Sequence, residues 1–276
     1  MNLITSATAF RSKWAVDVKM AEADLPVLIC LLGSFRLLRS GQPVALRNAA
    51  KTKSLLATLA LDLGRSVPRE TLLQTLWPDT DLDLAGQSLN SLVHSLRKLL
   101  SDKIGNEPPV LCADGYYRLN AEAGVAVDAA WFETLVDVGR KQERAGDPVA
   151  AVESYRRAVQ LYRGDLCVGT DVQALLAGET LRAHYLTILA RLADYSYTVG
   201  DYANCLEYAQ RLLSADPCRE DAHRLVMRCC VRQGERTQAL RQYRLCQTVL
   251  RTEFDTAPEP ATAALYEQIR LDPSLV

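Results

Sequence analysis

Gln87, Asn90, Ser91 and His94 lie close together in the chain and are followed at once by Arg97 and Lys98. Amides, hydroxyls and an imidazole can hydrogen-bond to base edges, and Arg and Lys neutralise phosphates. Leu89, Leu92, Val93, Leu96, Leu99 and Leu100 alternate with them, three or four residues apart. That is the helical period, so Ala85–Ser101 reads as a helix with one apolar stripe. Its opposite face carries the amides, hydroxyls and cations, with Arg97 on the shoulder, and the segment contains no carboxylate. Such a helix suits a DNA major groove. Polar helix faces are ordinarily just solvated, so the elements around this one decide its meaning.

Three short apolar runs come earlier: Val27–Leu32, Phe35–Leu38 and Val44–Leu46. Gly33-Ser34 separates the first two and Ser40-Gly41-Gln42-Pro43 the last two. Those compositions predict a small antiparallel meander. Asn48 is placed to cap a helix over Lys51–Leu63 that ends at Gly64. Lys51 and Lys53 sit at its N-terminal end, where the helix dipole disfavours cations; this suggests an anionic partner outside the fold, with simple solvation of the two lysines as the commoner alternative. Pro68 opens a second helix, Arg69–Leu76, which Trp77-Pro78 stops. Trp77 continues the stripe of Leu72, Leu73 and Leu76 and reads as core. After an acidic loop, Asp79–Asp83, comes the Ala85 helix and then a hairpin. Val110–Cys112 and Tyr116–Leu119 flank Ala113-Asp114-Gly115, a strong turn signal. Three helices followed by a hairpin make a winged helix-turn-helix. Its third helix enters the major groove and its wing reaches the adjacent backbone or minor groove. Within the wing Arg118 is the residue expected to meet a phosphate.

From Val127 the pattern is helical almost to the end, and it repeats. Gly146-Asp147, Gly200-Asp201 and Gly234-Glu235 align. Five residues on stand Ala151, Cys205 and Ala239, nine on Tyr155, Ala209 and Tyr243, and twelve on Ala158, Leu212 and Cys246. The step from Gly200 to Gly234 is 34 residues, the tetratricopeptide period. Helices are predicted over 129–145, 148–162, 179–199, 202–214, 218–233, 236–253 and 260–270.

At 276 residues, with 49% hydrophobic and 24% charged residues, the chain is globular and long enough for two cores. The net charge of −1 announces no general affinity for nucleic acid. It divides as 14 Lys+Arg against 12 Asp+Glu up to Ala126, and 18 against 21 beyond. The balance leans mildly toward a DNA-facing first half. No apolar run is long enough to span a bilayer and no signal-peptide core follows Arg11, Lys13 and Trp14, so no membrane is expected. The eight cysteines have no CxxC or Cys/His ligand spacing and read as small buried residues of a cytoplasmic protein. Cys229 and Cys230 would serve a redox role only where the surroundings lower a thiol pKa. The three histidines form no nucleophilic or metal pattern; no catalytic residue, metal or cofactor is expected, and the chain is not read as an enzyme.

The expected fold is mainly α with a small α+β N-terminal part. A leader (1–24) precedes a winged helix-turn-helix (25–122), and an all-α tetratricopeptide-like helical repeat domain (127–276) follows. Several stretches resemble the Streptomyces antibiotic regulatory protein (SARP) family, an OmpR-type winged helix fused to a bacterial transcriptional activator domain. They are LLGSFRLLRSGQPVAL, KTKSLLATLALDLGRSVPRETLLQTLWPD, SLNSLVHSLRKLL, DGYYRLN and VDAAWFETLV, then GDPVAAVESYRRAVQLYRGDL and GERTQALRQYRLCQTVLRTEFDTAPEPATAALYEQI. The resemblance implies a bacterial transcriptional activator that binds double-stranded DNA at promoter-proximal direct repeats, head to tail as a homodimer, and recruits RNA polymerase. Gln87, Asn90, Ser91 and His94 would contact bases, and Arg97, Lys98, Arg118, Lys51 and Lys53 phosphates. The chain departs from the family where Ser95 replaces an Arg and Gly86-Gln87 a basic residue, which predicts weaker phosphate anchoring. No GxxxxGK[ST] is present and no receiver domain is expected. The rival reading is a helical-repeat interaction adaptor whose winged helix no longer binds specific DNA.

Overall fold

The computed structural model describes residues 25–46, 49–100, 104, 107–167 and 172–276. The leader and the Asn48 cap lie outside the described residues. The chain divides into two compact units. The first holds the described residues up to Val138 together with Arg157–Arg182, and the second Gly139–Arg156 together with Ala183–Val276.

In the first unit β1 (Val27–Cys30) is buried along its whole length, and both of its edges are paired. It runs antiparallel to β2 (Arg36–Arg39) and parallel to β7 (Val125–Val127), and β2 carries β3 (Gln42–Pro43) on its far side. The third strand of the meander therefore starts at Gln42 rather than Val44. Ser40 and Gly41 both have positive φ, 47° and 75°, so these two residues complete a tight hairpin turn and Gln42 already pairs with Arg39. β7, three residues long, is too short to stand out from the helical pattern behind it. Leu25, Leu28, Cys30, Leu38 and Ala126 form a core cluster with Trp131 against it.

Immediately after β7, Asp128 begins α4 (Asp128–Arg144). Its carboxylate is buried and accepts from Leu31 N (2.7 Å), Leu32 N (3.1 Å) and Ala129 N (2.7 Å). It thus satisfies the backbone at the end of β1 and the first turn of the helix together. The chain beyond β1 is held on its other side by Asp165–Cys167, through Gly33 N to Asp165 O and Cys167 N to Leu31 O, each 2.9 Å. Gly33 has φ 88°, and a Cβ there would meet Arg163 O at 2.8 Å. Only glycine fits that crossing.

The remaining elements of this unit are α1 (Ala49–Leu61), β4 (Val67–Pro68), α2 (Arg69–Leu76), α3 (Leu82–Leu100), β5 (Val110–Ala113) and β6 (Tyr116–Leu119). The wing is three-stranded, in the order β4-β6-β5. β4 pairs with the Tyr116-Tyr117 end of β6, which makes Pro68 a strand residue and the cap of α2 rather than its first helical residue. The order of three helices and a wing is the winged helix-turn-helix anticipated above.

The second unit is helical. α5 (Pro148–Leu161), α6 (Val172–Thr198), α7 (Tyr202–Ala215), α8 (Glu220–Arg232), α9 (Arg236–Phe254) and α10 (Pro260–Leu271) follow α4 in the chain; parts of α4, α5 and α6 belong to the first unit. Each repeat glycine ends a helix in the left-handed region: Gly146 (φ 79°), Gly200 (81°) and Gly234 (80°). Each also makes the paired bonds of a Schellman motif. Gly146 N reaches Glu143 O and Asp147 N reaches Gln142 O, Gly200 and Asp201 repeat this with Tyr197 and Ser196, and Gly234 and Glu235 with Val231 and Cys230. Asp147 and Asp201 then cap the next helix through Ala150 N (3.0 Å) and Asn204 N (3.2 Å). The small residues Ala151, Cys205 and Ala239 are buried behind them. Gly139 serves the same close packing, since a Cβ there would lie 2.3 Å from the buried Tyr155 ring.

Cys205, Cys229 and Cys230 are buried free thiols. A hydrogen bond with Cys205, together with burial, pushes Cys229 well up, and burial raises Cys230. Neither is poised as a thiolate. His223 is also structural. Nε2 meets Pro217 O at 2.9 Å, Nδ1 meets the Gln242 amide at 2.7 Å, and burial lowers its pKa.

Three outcomes are expected. Asp128→Asn leaves Leu31, Leu32 and Ala129 with one acceptor oxygen in place of two, and should cost about 1–3 kcal/mol in urea unfolding. Burial raises the Asp128 pKa despite its three N–H donors, so the folded chain binds more protons than the unfolded chain between the ordinary value of 3.8 and the raised one. Stability from this group therefore falls as pH rises through that window, and the Asp128→Asn variant should not show that part of the decline. Separately, Gly200→Ala should cost about 1–2 kcal/mol in the same measurement, because a Cβ strains the left-handed region.

Candidate nucleic-acid interface

α3 starts at Leu82, three residues before the sequence pattern suggests. Asp81 explains the difference. Its side chain accepts from Asp83 N (3.0 Å) and Leu84 N (3.3 Å), and its carbonyl accepts the first helical bond from Ala85 N (2.9 Å). Part of the acidic loop is thus an N-cap. Asp83 in the first turn, with Arg97 and Lys98 in the last, complements the helix dipole.

Ala85, Gly86, Leu89, Val93, Leu96 and Leu100 are buried, with Leu92 and Leu99 half-buried beside them. Gln87, Asn90, Ser91, His94 and Lys98 are exposed. At about 100° per residue, Gln87, Ser91, His94 and Lys98 share an arc of roughly 60° on the far side of the helix from Leu89. They form an uninterrupted strip of two hydrogen-bonding neutral side chains, an imidazole and an ammonium.

Asn90 stands to one side of this strip and has a partner. Arg69, the first residue of α2, places Nη1 3.0 Å from Asn90 Oδ1 and 2.9 Å from the Tyr117 hydroxyl. Tyr117 is buried, and burial raises its phenol pKa, so it stays a neutral acceptor. Sequence reasoning does not single out Arg69. The available signal is Gly86, a glycine inside a helical pattern; a Cβ there would lie 2.6 Å from Arg69 Nη2.

The cations are divided between scaffold and surface. Arg97 is half-buried and sends Nε (3.0 Å) and Nη2 (2.8 Å) to Val110 O, tying the last turn of α3 to β5. Lys51 donates to Leu76 O at 2.9 Å and sits 4.4 Å above the Trp77 ring. Lys51 thus meets the partly negative C-terminal end of α2 while its side chain stays exposed. Lys53 lies 5.2 Å over Phe35. Lys98 is exposed, and Arg118 is half-buried on β6 opposite Leu111. At the wing tip Asp114 (φ 50°) and Gly115 (φ 78°) are both left-handed, a two-residue turn of type I′. Gly115 O accepts from Arg69 N at 2.8 Å, so the tip is moored to the start of α2. Tyr116 remains exposed beside it.

Among the described residues no group of three or more His, Cys, Asp or Glu gathers as a metal site would require, and no helix is long and apolar enough to cross a membrane.

Comparison with known proteins bears on the same two regions. Residues 127–270 match the bacterial transcriptional activator domain, and residues 41–113 match the C-terminal domain of transcriptional regulatory proteins. The chain is 28% identical to the regulatory protein AfsR of Streptomyces coelicolor over 89% of its own length and 24% of AfsR. It is 30% identical to the transcriptional regulator RedD of the same organism, over 76% of this chain and 61% of RedD. It is 25% identical to the regulatory protein DnrI of Streptomyces peucetius, over 82% and 86%. The chain thus spans about a quarter of AfsR and three fifths of RedD. A solved structure of Mycobacterium tuberculosis EmbR, in complex with a low affinity phosphopeptide, superposes with a TM-score of 0.71 at 23% identity, covering 91% of this chain and 68% of EmbR; it shares the fold. With a winged helix whose third helix turns a carboxylate-free polar strip outward, followed by glycine-punctuated helical repeats, this chain belongs to the bacterial transcriptional activator domain family, and its domain pairing is of the Streptomyces antibiotic regulatory protein type.

Proposed function

We propose that this protein is a sequence-specific transcriptional activator. It binds double-stranded DNA through α3 and the wing, and acts in the cytoplasm on promoter-proximal direct repeats as a homodimer that recruits RNA polymerase. The winged helix occupies 25–122 and the repeat domain begins at 127. The observation that carries the proposal is the exposed strip Gln87, Ser91, His94 and Lys98 on the face of α3 opposite its buried leucines. Gln87, Asn90, Ser91 and His94 meet base edges, and Lys98 and Arg118 meet phosphates. Arg97, Lys51 and Lys53 contribute chiefly by holding the interface in shape, since each already has a partner within the fold. The kinship with named regulators supports the assignment to transcription; promoter repeats and polymerase recruitment are the part of the proposal that the family resemblance suggests.

Because Lys98 is the single Lys or Arg on the outward strip of α3, salt dependence should be shallow for a DNA-binding domain. Selection from random duplexes should enrich one motif. Gln87→Ala or Ser91→Ala should relax discrimination at one base pair by about 1–3 kcal/mol, whereas Lys98→Ala should weaken all sequences alike and lower the salt slope by about 1. Binding titrations over a salt series check this. If no motif is enriched and a protein partner is found on α3, the adaptor reading takes its place.

Stability separates the two neighbouring cations. Arg97→Ala removes both bonds to Val110 O and should cost about 1.5–3 kcal/mol. Lys98→Ala should stay within about 0.5 kcal/mol of the parent in denaturant unfolding. Equal losses would show that Arg97 does not hold the wing.

A further inference from the structure

Arg69 is fixed at both ends. Its backbone N–H donates to Gly115 O at the wing tip, and its guanidinium donates to Asn90 Oδ1 and the Tyr117 hydroxyl. Space for the guanidinium exists because residue 86 has no Cβ. An arginine side chain has five N–H donors and no acceptor. The end of the Asn90 amide that faces it must therefore be oxygen, so chemistry settles the orientation that an amide's shape leaves open. The bond is charge-assisted, stronger than one between neutral groups. Asn90 is exposed, and the end of its amide not engaged by Arg69 is the Nδ2 donor.

An asparagine free to turn can bind adenine with both ends, accepting from N6 and donating to N7. One held with its oxygen toward an arginine presents its donor instead. We propose that Arg69 is a positioning residue that fixes Asn90 as a hydrogen-bond donor, so that the base facing Asn90 is selected for acceptors on its major-groove edge. Guanine, with N7 and O6, is then preferred over cytosine, whose major-groove edge offers the N4 donor. Gly86 is part of the same device, since any side chain there displaces the guanidinium. The inference rests on α3 being the base-contacting helix.

The test is selection from a random duplex library with the full chain, comparing the parent with Arg69→Ala, Arg69→Lys and Asn90→Asp, each first checked for a cooperative melt. In the parent, one column of the enriched motif should favour guanine over cytosine about tenfold. Arg69→Ala frees the amide, so adenine should gain on guanine in that column while the other columns hold. Arg69→Lys retains a donor and should restore the parental column. Asn90→Asp keeps the bond to Arg69 but has no donor, and should invert the column toward cytosine, whose N4 donates to carboxylates. Asn90→Asp keeps Arg69 in place, so it still tests whether Asn90 reads as a donor if Arg69→Ala fails to fold. A parental column that is unchanged in Asn90→Asp, or in a folded Arg69→Ala, overturns the proposal while leaving α3 as a reading helix. A parent that enriches no motif overturns both.

Discussion

Burial of Leu89, Val93, Leu96 and Leu100 sets everything that α3 can offer. Four apolar side chains on one stripe, each stabilising the fold by about 1.5–3 kcal/mol when fully buried, leave the helix no freedom to roll. Rotation by one position would bring Asn90 or Arg97 into the core and expose a leucine. The outward strip from Gln87 to Lys98 is therefore as well fixed as the core beneath it. A reading surface needs that rigidity, because hydrogen bonds to base edges are lost with small errors of placement.

Around that helix, three cations have hydrogen-bond partners within the fold. Arg97 joins the end of α3 to the wing, Lys51 closes the end of α2, and Arg69 links α2, α3 and the wing tip. Each sits where a backbone carbonyl or a neutral hydrogen-bonding group needs a donor, and each relieves a polar group that would otherwise be costly to bury. The result is a well-braced helix whose outward strip carries one ammonium, that of Lys98. On the proposed function, specificity comes from neutral hydrogen-bonding side chains more than from phosphate attraction.

A different device recurs in the second unit. Gly146, Gly200 and Gly234 close successive helices with the same pair of backbone bonds, and Asp147 and Asp201 open the next ones. The small residues five positions on are buried, which lets paired helices approach closely. The carboxylate of Asp128 acts in the first unit as the junction between β1 and α4. In both units the ends of elements are secured by side chains or glycines of defined chemistry, and the spacing between those residues makes them visible in the chain.

The chain itself determined the periodic features. The stripe of α3, the Asp114-Gly115 turn, the glycine columns and the order of helices all follow from local patterns, because a helix face, a left-handed turn and a cap are each made by residues a few positions apart. Elements that depend on distant partners were not legible. β7 and β4 are three and two residues long and exist only because β1 and β6 offer edges for them. The start of α3 was obscured because the capping Asp81 sits in a loop that looked merely acidic. Above all, the division of the cations required the fold. Lys51 and Leu76 are 25 positions apart, and Arg69 and Tyr117 are 48 apart. A charge is assigned to solvent, to DNA or to a buried carbonyl by whichever groups the tertiary structure brings within about 3 Å of it, and no local pattern carries that information.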